Sequence, residues 1–242
     1  MKRYYILSLF LLFTIFMRAQ EKKIEYKNQQ WLAYYNQLKL SEKWSINTDF
    51  QYRWGDFFIY HAQFLGRSQA SYKIAPNLNS GAGFAVSGLY SGTIVSKMEY
   101  RPYQEIQLKT EAFSLPLDHR LRVEERYFED RITAANSFNM RFRYRLQLTV
   151  PLFKIASDSN KTLDFAIADE LFLNAGHDIV YNVFDQNRIL LSASAPLNKN
   201  IDISLTYNNQ FAAKNSAASY THTQIFWVAI KHKIDISKNT AP

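Results

Sequence analysis

The chain contains no cysteine, so disulfides and thiolate-based metal or redox sites are excluded. Glycine and proline are scarce, seven and six in 242 residues, which excludes collagen-like and low-complexity architectures. No internal stretch is long and apolar enough to cross a bilayer as a helix, which takes roughly 20 residues. Mean hydropathy is slightly negative, at -0.30, far from that of a helical membrane protein. The five histidines, His61, His119, His177, His222 and His232, show no HExxH-type spacing. Asp49, Asp118 and Asp164 make no calcium loop, and Gly81-Ala82-Gly83 lacks the later glycine and following helix of a phosphate loop. It reads instead as a bend in a strand. No cofactor and no metal is expected.

What is present begins with a targeting signal. Lys2 and Arg3 precede an apolar run, Ile6–Met17, followed by Arg18-Ala19-Gln20. A basic start, a short apolar core and a small residue before polar sequence predict a secretory signal peptide over residues 1–19, cleaved after Ala19. Residues 20–242 then form one domain, with no linker or internal repeat. The formal charge of +8 includes Lys2, Arg3 and Arg18, so the exported chain carries +5. Export removes the nucleic-acid reading that a basic, aromatic-rich chain would otherwise invite. Aromatic residues are abundant, 18 Phe, 16 Tyr and 4 Trp.

Their placement is informative. From Lys43 to Trp54 apolar and polar residues alternate strictly: Trp44, Ile46, Thr48, Phe50, Tyr52 and Trp54 against Lys43, Ser45, Asn47, Asp49, Gln51 and Arg53. A period of two predicts a strand. The same alternation recurs at Met140–Leu152, where Phe142, Tyr144, Leu146 and Leu148 oppose Arg141, Arg143, Arg145 and Gln147. Further segments follow at Trp31–Leu40, Phe58–Ile74, Leu78–Leu89, Val95–Lys109, Leu117–Phe128, Leu163–Asn174, Phe184–Ala195, Ile201–Phe211 and Thr221–Ile236. Segments this long suit tilted membrane strands better than the five or six residues usual in a soluble sandwich. Apolar outside, polar inside and aromatic at both interfaces is the pattern of an outer-membrane barrel. Connections near Ser41-Glu42, Ala75–Asn77 and Pro196–Asn200 are short, and those near Glu129–Asn139 and Gly176–Val183 longer. This predicts turns on one rim and loops on the other. Closed single-chain barrels usually have even strand numbers. The expectation is therefore an all-β, antiparallel transmembrane β-barrel of about 12 strands, with 10 as the alternative and Lys22–Gln30 as a source for the extra strand.

Charges on the polar faces are expected to pair, since buried charge must be compensated. A turn between Ala112 and Phe113 opposes Glu105 with Arg120, Tyr103 with Arg122, Arg101 with Glu124, and Glu99 with Arg126. A turn near Ala156–Asp158 sets Glu170 against Arg145, and one near Ile179 sets it against Arg188. With Arg141 and Arg143, these make up a lumen of Arg/Glu pairs. The structural reading is packing, and the functional one is a charged site or selectivity ring. Catalytic signals are weak: His119, with Ser114 or Ser137, is the one candidate for a hydrolytic base and nucleophile.

The ordered segments WLAYYNQLKLSEKWSINTDFQYRW (Trp31–Trp54), EYRPYQEIQLK (Glu99–Lys109), HRLRVEERY (His119–Tyr127), MRFRYRLQLTVPL (Met140–Leu152), DELFLN (Asp169–Asn174) and FDQNRILL (Phe184–Leu191) resemble the bacterial family of unknown function numbered 2490. The resemblance implies a β-barrel-like envelope protein and carries no catalytic residue over. One departure from common outer-membrane barrels is the tail Ser237–Pro242, which overshoots the last strand instead of ending it on an aromatic residue. The expected location is the outer membrane of a Gram-negative bacterium. The expected partners are its lipids and the barrel-assembly machinery, with no nucleic acid; the pattern fixes no oligomeric state. A structural or small-solute barrel is the leading functional expectation. A lipid- or lipopolysaccharide-modifying barrel enzyme and a secreted soluble binding module are the competitors.

Overall fold

The structure, a computed structural model, describes residues 21–154 and 162–237. The expected signal peptide, the turn near Ala156–Asp158 and the end of the tail lie outside the described residues. Eleven strands follow one another in the chain: β1 (Lys23–Lys39), β2 (Trp44–Gly55), β3 (Tyr60–Ala75), β4 (Leu78–Ser91), β5 (Ile94–Ala112), β6 (Leu115–Asp130), β7 (Asn136–Lys154), β8 (Thr162–Ala175), β9 (Phe184–Pro196), β10 (Ile201–Ala213) and β11 (Ser219–Asp235). Each pairs antiparallel with its neighbours in sequence, and the sheet closes into a barrel.

Closure corrects the expected strand count of 12 or 10. β1 pairs with β11 in parallel, from Lys23↔Ser219 to Lys39↔Asp235. Lys22–Gln30 supplies no separate strand; Lys23–Gln30 is the first half of β1. An odd number of up-and-down strands leaves the first and last pointing the same way, so only a parallel ladder can close the sheet. That ladder satisfies both edges, although parallel bonds are slightly weaker than antiparallel ones. Inward side chains match across the seam. Trp31 meets Trp227 edge to face, with ring centroids 5.2 Å apart, and Ala33 lies opposite Ala229. The odd count also places the ends of β1 and β11 on opposite rims.

Alternation sorts the side chains as the sequence pattern implies. On β2, Asp49 and Gln51 are buried inward while Trp44 and Phe50 are exposed outward. On β7, Arg141 and Arg143 are buried while Phe142 and Tyr144 are exposed. The buried apolar cluster inside is small, comprising Leu65, Ala85 and Tyr103. Glycines 81 and 83 carry no register shift in β4. They face inward, where a Cβ on Gly83 would stand 2.7 Å from the Tyr103 ring and 2.5 Å from the Ser68 carbonyl oxygen. Their smallness allows this close approach.

Connections 40–43, 76–77, 113–114 and 197–200 share one rim, here the turn rim. Connections 56–59, 92–93, 131–135, 176–183 and 214–218 share the other, the loop rim. The expected grouping holds, but the contrast in length is small: 92–93 is as tight as any turn.

Candidate functional site

The lumen is a charge lattice carried mainly by β5, β6 and β7. Glu124 lies at its centre with no exposed surface. It accepts hydrogen bonds from Arg141 Nε at 2.8 Å and Arg143 Nη1 at 2.6 Å, and Arg101 and Arg122 each approach to 3.7 Å. Glu99 accepts from Arg101 and Arg126. Glu105 accepts from Arg122 Nε at 2.7 Å and from the amides of Gln69 and Gln107. Glu170 accepts from Arg143 Nη2 at 2.7 Å and, two strands away, from Arg120 Nη2 at 2.6 Å. Charge-assisted, forked bonds of this kind are the strongest polar contacts available to a buried carboxylate. Aromatic faces take up the remaining guanidinium surface. Arg122 lies 4.3 Å from the Tyr103 ring centroid, and Arg143, Arg188 and Arg141 lie 4.4, 4.8 and 5.3 Å from that of Phe172. Desolvated cations gain most from such contacts.

Several expected partners differ. The β5–β6 hairpin turns at Phe113-Ser114, with φ of 54° and 61°, rather than between Ala112 and Phe113. Two positive φ values make the two-residue turn that suits a hairpin's twist. The register therefore moves by two residues on one strand, setting Tyr103 against Glu124 and Glu105 against Arg122. Arg101–Glu124 and Glu99–Arg126 are still made, now diagonally. Glu105 pairs with Arg122 instead of Arg120. For Glu170 the register is as expected, with Arg145 and Arg188 directly opposite, yet the carboxylate is held by Arg143 and Arg120. An arginine is long enough to pass its facing neighbour and reach one two residues along.

Four participants fall outside the expected set. Asp49 on β2 takes Arg67 of β3 at 2.8 Å. Asp185 accepts from Arg141 Nη1 at 3.0 Å. It reaches the lumen through a register shift opposite Phe172 and Leu173, which places it and Gln186 on the same side. Strict alternation cannot anticipate such a bulge. Arg53, although on the polar face of β2, pairs with no carboxylate among the described residues; it donates to Gln63 and Gln51 and lies 3.8 Å from the Trp31 ring centroid.

The lattice leaves two lumen cavities. One of about 900 Å³ extends toward the loop rim, and one of about 450 Å³ toward the turn rim. Tyr35, Gln37, Asn47, Asp49, Arg67 and Arg120 line both. At the loop rim, Asp178 lines the larger cavity and its hydrogen bond with His177 Nδ1 raises the histidine pKa above the ordinary value.

The hydrolytic candidates do not assemble. His119 is bonded through Nε2 to Thr110 Oγ1 at 3.0 Å and through Nδ1 to the Tyr144 hydroxyl at 2.8 Å, beside outward-facing residues. Ser114 is in a turn-rim connection, and Ser137 is at the loop-rim end of β7.

These features define the class: a closed eleven-stranded β-barrel with a charged interior. The chain belongs to the family described as Protein of unknown function (DUF2490), whose model matches residues 28–221. No curated protein and no solved structure matches the chain.

Proposed function

We propose that this protein is an outer-membrane β-barrel of a Gram-negative bacterium, with a non-enzymatic structural or small-solute role. The reading rests on one observation, the inversion of the usual polarity. Leu32, Phe50, Phe84, Ile106, Leu121, Ile167, Leu205 and Phe226 are exposed around the outside, while Glu99, Arg101, Glu105, Arg122, Glu124, Arg143 and Glu170 are buried inside. An apolar patch beyond a few hundred Å² is rare on a soluble monomer, and here the apolar band follows the whole circumference. Aromatic groups sit on the outer face toward both rims. Tyr52, Trp54, His61, Phe64 and Tyr90 cluster at the loop rim, as do Tyr127 with Phe138 and Phe211 with Tyr220. Trp44 with Tyr72 sits toward the turn rim. Such girdles are expected at the two interfaces of a bilayer.

Fractionation tests the location. The protein should sediment with outer membranes and need detergent for extraction; a stable, detergent-free monomer from the periplasm would overturn the reading. The ion-paired side chains that occupy the lumen, from Asp49 with Arg67 to Glu124 with Arg141 and Arg143, predict low conductance in planar bilayers. Large, steady currents would replace a filled barrel with an open pore.

A further inference from the structure

The lumen's cations outnumber its carboxylates, and the surplus lies around the larger cavity. Among the described residues, Arg53, Arg145 and Arg188 line that cavity and form no ion pair, whereas Glu99, Glu124 and Glu170 are each held by two or more arginines. Arg53 and Arg188 share one aromatic anchor, with guanidinium carbons 3.8 and 5.4 Å from the Trp31 ring centroid, and they repel each other. Arg188 Nε spends its bond on the neutral Gln210 Oε1 at 2.9 Å. Glu170 faces Arg145 and Arg188 across the ladders but is held by Arg120 and Arg143, so these confined cations stay without a carboxylate in contact, a cost that an anion would relieve.

Residues that line the same space also carry enclosed polar atoms without a partner among the described residues. They are the donors Arg53 Nε and Trp227 Nε1 and, toward the loop rim, the acceptors Asn139 Oδ1 and Asn174 Oδ1. Buried polar atoms are rarely left so, and a side chain that carries one beside a cavity gains a partner by turning toward a ligand there. Donors beside bare arginines fit an anionic group, and acceptors nearer the mouth fit hydroxyls. A volume of about 900 Å³ is far larger than an inorganic ion needs and falls within the range of small-molecule sites.

We propose that the larger lumen cavity binds a small hydroxyl-bearing organic anion, an acidic sugar or a sugar phosphate, with its charge on Arg53 and Arg188. The inference rests on the small-solute reading of the barrel and names the class of solute. Arg145 adds to the positive field, and Asn139 and Asn174 receive hydroxyls.

The test is titration of the detergent-purified full chain, followed by tryptophan fluorescence and calorimetry. The probes are glucuronate, glucose 6-phosphate, neutral glucose and inorganic phosphate. Saturable, salt-sensitive binding of glucuronate or glucose 6-phosphate, with glucose much weaker, is expected; whichever sugar anion binds tighter identifies carboxylate or phosphate as the preferred group. Arg53→Gln and Arg188→Gln should each weaken binding about tenfold or more, the worth of a charge-assisted hydrogen bond. Both should keep the heat-modifiable gel shift of a folded barrel, because neither leaves a carboxylate without its partner. Arg53→Lys keeps the charge and separates loss of the site from loss of the fold. Arg131→Gln, on an exposed loop, should bind as the wild type does. Glucose binding as tightly as either sugar anion, inorganic phosphate matching glucose 6-phosphate, or unchanged affinity in a folded variant that combines Arg53→Gln with Arg188→Gln would overturn the proposal. So would absence of saturable binding by the folded wild type. If the protein fractionates with outer membranes but binds neither sugar anion, the solute falls and the barrel reading stands. If it binds but proves soluble, the reverse holds.

Discussion

Glu124→Gln is the most searching perturbation of the lumen. The substitution keeps the side chain's shape and removes its charge. It also turns one end into an amide donor facing guanidinium donors. Glu124 has no solvent exposure, and Arg141 and Arg143 contact it through three N···O distances of 2.6–2.8 Å. Breaking a buried pair by removing one partner costs about 3–5 kcal/mol, and with no exposure there is no screening discount. The loss is moderated because both arginines keep a second carboxylate, Asp185 for Arg141 and Glu170 for Arg143. The lower end, about 3 kcal/mol, is therefore expected. The assay is urea unfolding of the barrel in lipid, read by the heat-modifiable gel shift, with Glu42→Gln as a rim control. Glu42 is 83% exposed and pairs with Lys39 at the surface, where a bridge contributes about 0–1 kcal/mol. A second variant isolates the cause. Glu124→Gln with Arg143→Gln removes an opposite charge but leaves Glu170 its Arg120 and Arg141 its Asp185. It should recover about 1–2 kcal/mol, a coupling within the usual range for residues in one network. A Glu124→Gln loss no larger than that of Glu42→Gln would refute the paired-lumen argument. Strict additivity in the double variant would show that the cost is not one of stranded charge.

Three further outcomes follow from the geometry. Leu146→Arg, at mid-height on the outer face of β7, should lose about 2–4 kcal/mol or fail to insert, while Gln147→Arg on the inner face is tolerated; equal tolerance would reverse the faces. Ala33→Cys with Ala229→Cys should form a disulfide on oxidation in this cysteine-free chain, because the pair are inward Cα partners on β1 and β11; absence of the cross-link in a folded barrel would refute the parallel seam or its register. Gly83→Val should destabilise by about 1–3 kcal/mol, since its Cβ would meet the Tyr103 ring and the Ser68 carbonyl, and an unchanged unfolding midpoint would contradict that close approach.

Legibility in the sequence followed the range of the interaction. Strand existence and face assignment are local properties, since a period of two separates Phe142 and Tyr144 from Arg141 and Arg143 without knowledge of any neighbour. Part of the charge lattice was legible for the same reason: Glu99 and Glu105 share parity with Arg101 on β5, and Glu124 with Arg120, Arg122 and Arg126 on β6, whereas Asp49, Arg53, Arg67 and Asp185 fell outside the expected set. Partners were only partly legible, because each guanidinium can reach facing and diagonal acceptors, and a two-residue shift at Phe113-Ser114 re-sorts a whole hairpin.

Tertiary structure alone decided closure, the counter-charge balance and the cavities. Whether eleven segments close as they stand or demand a twelfth depends on whether β1 can ladder in parallel with β11, two segments at opposite ends of the chain. The bulge that brings Asp185 inward breaks the very period used to read the strands. That Arg53 and Arg188 share Trp31 yet form no ion pair among the described residues, although Arg188 faces Glu170, is a matter of side-chain reach, and the space they border exists only once the sheet is closed. Alternation along one strand decides which side a residue faces; only the closed ring decides what it finds there.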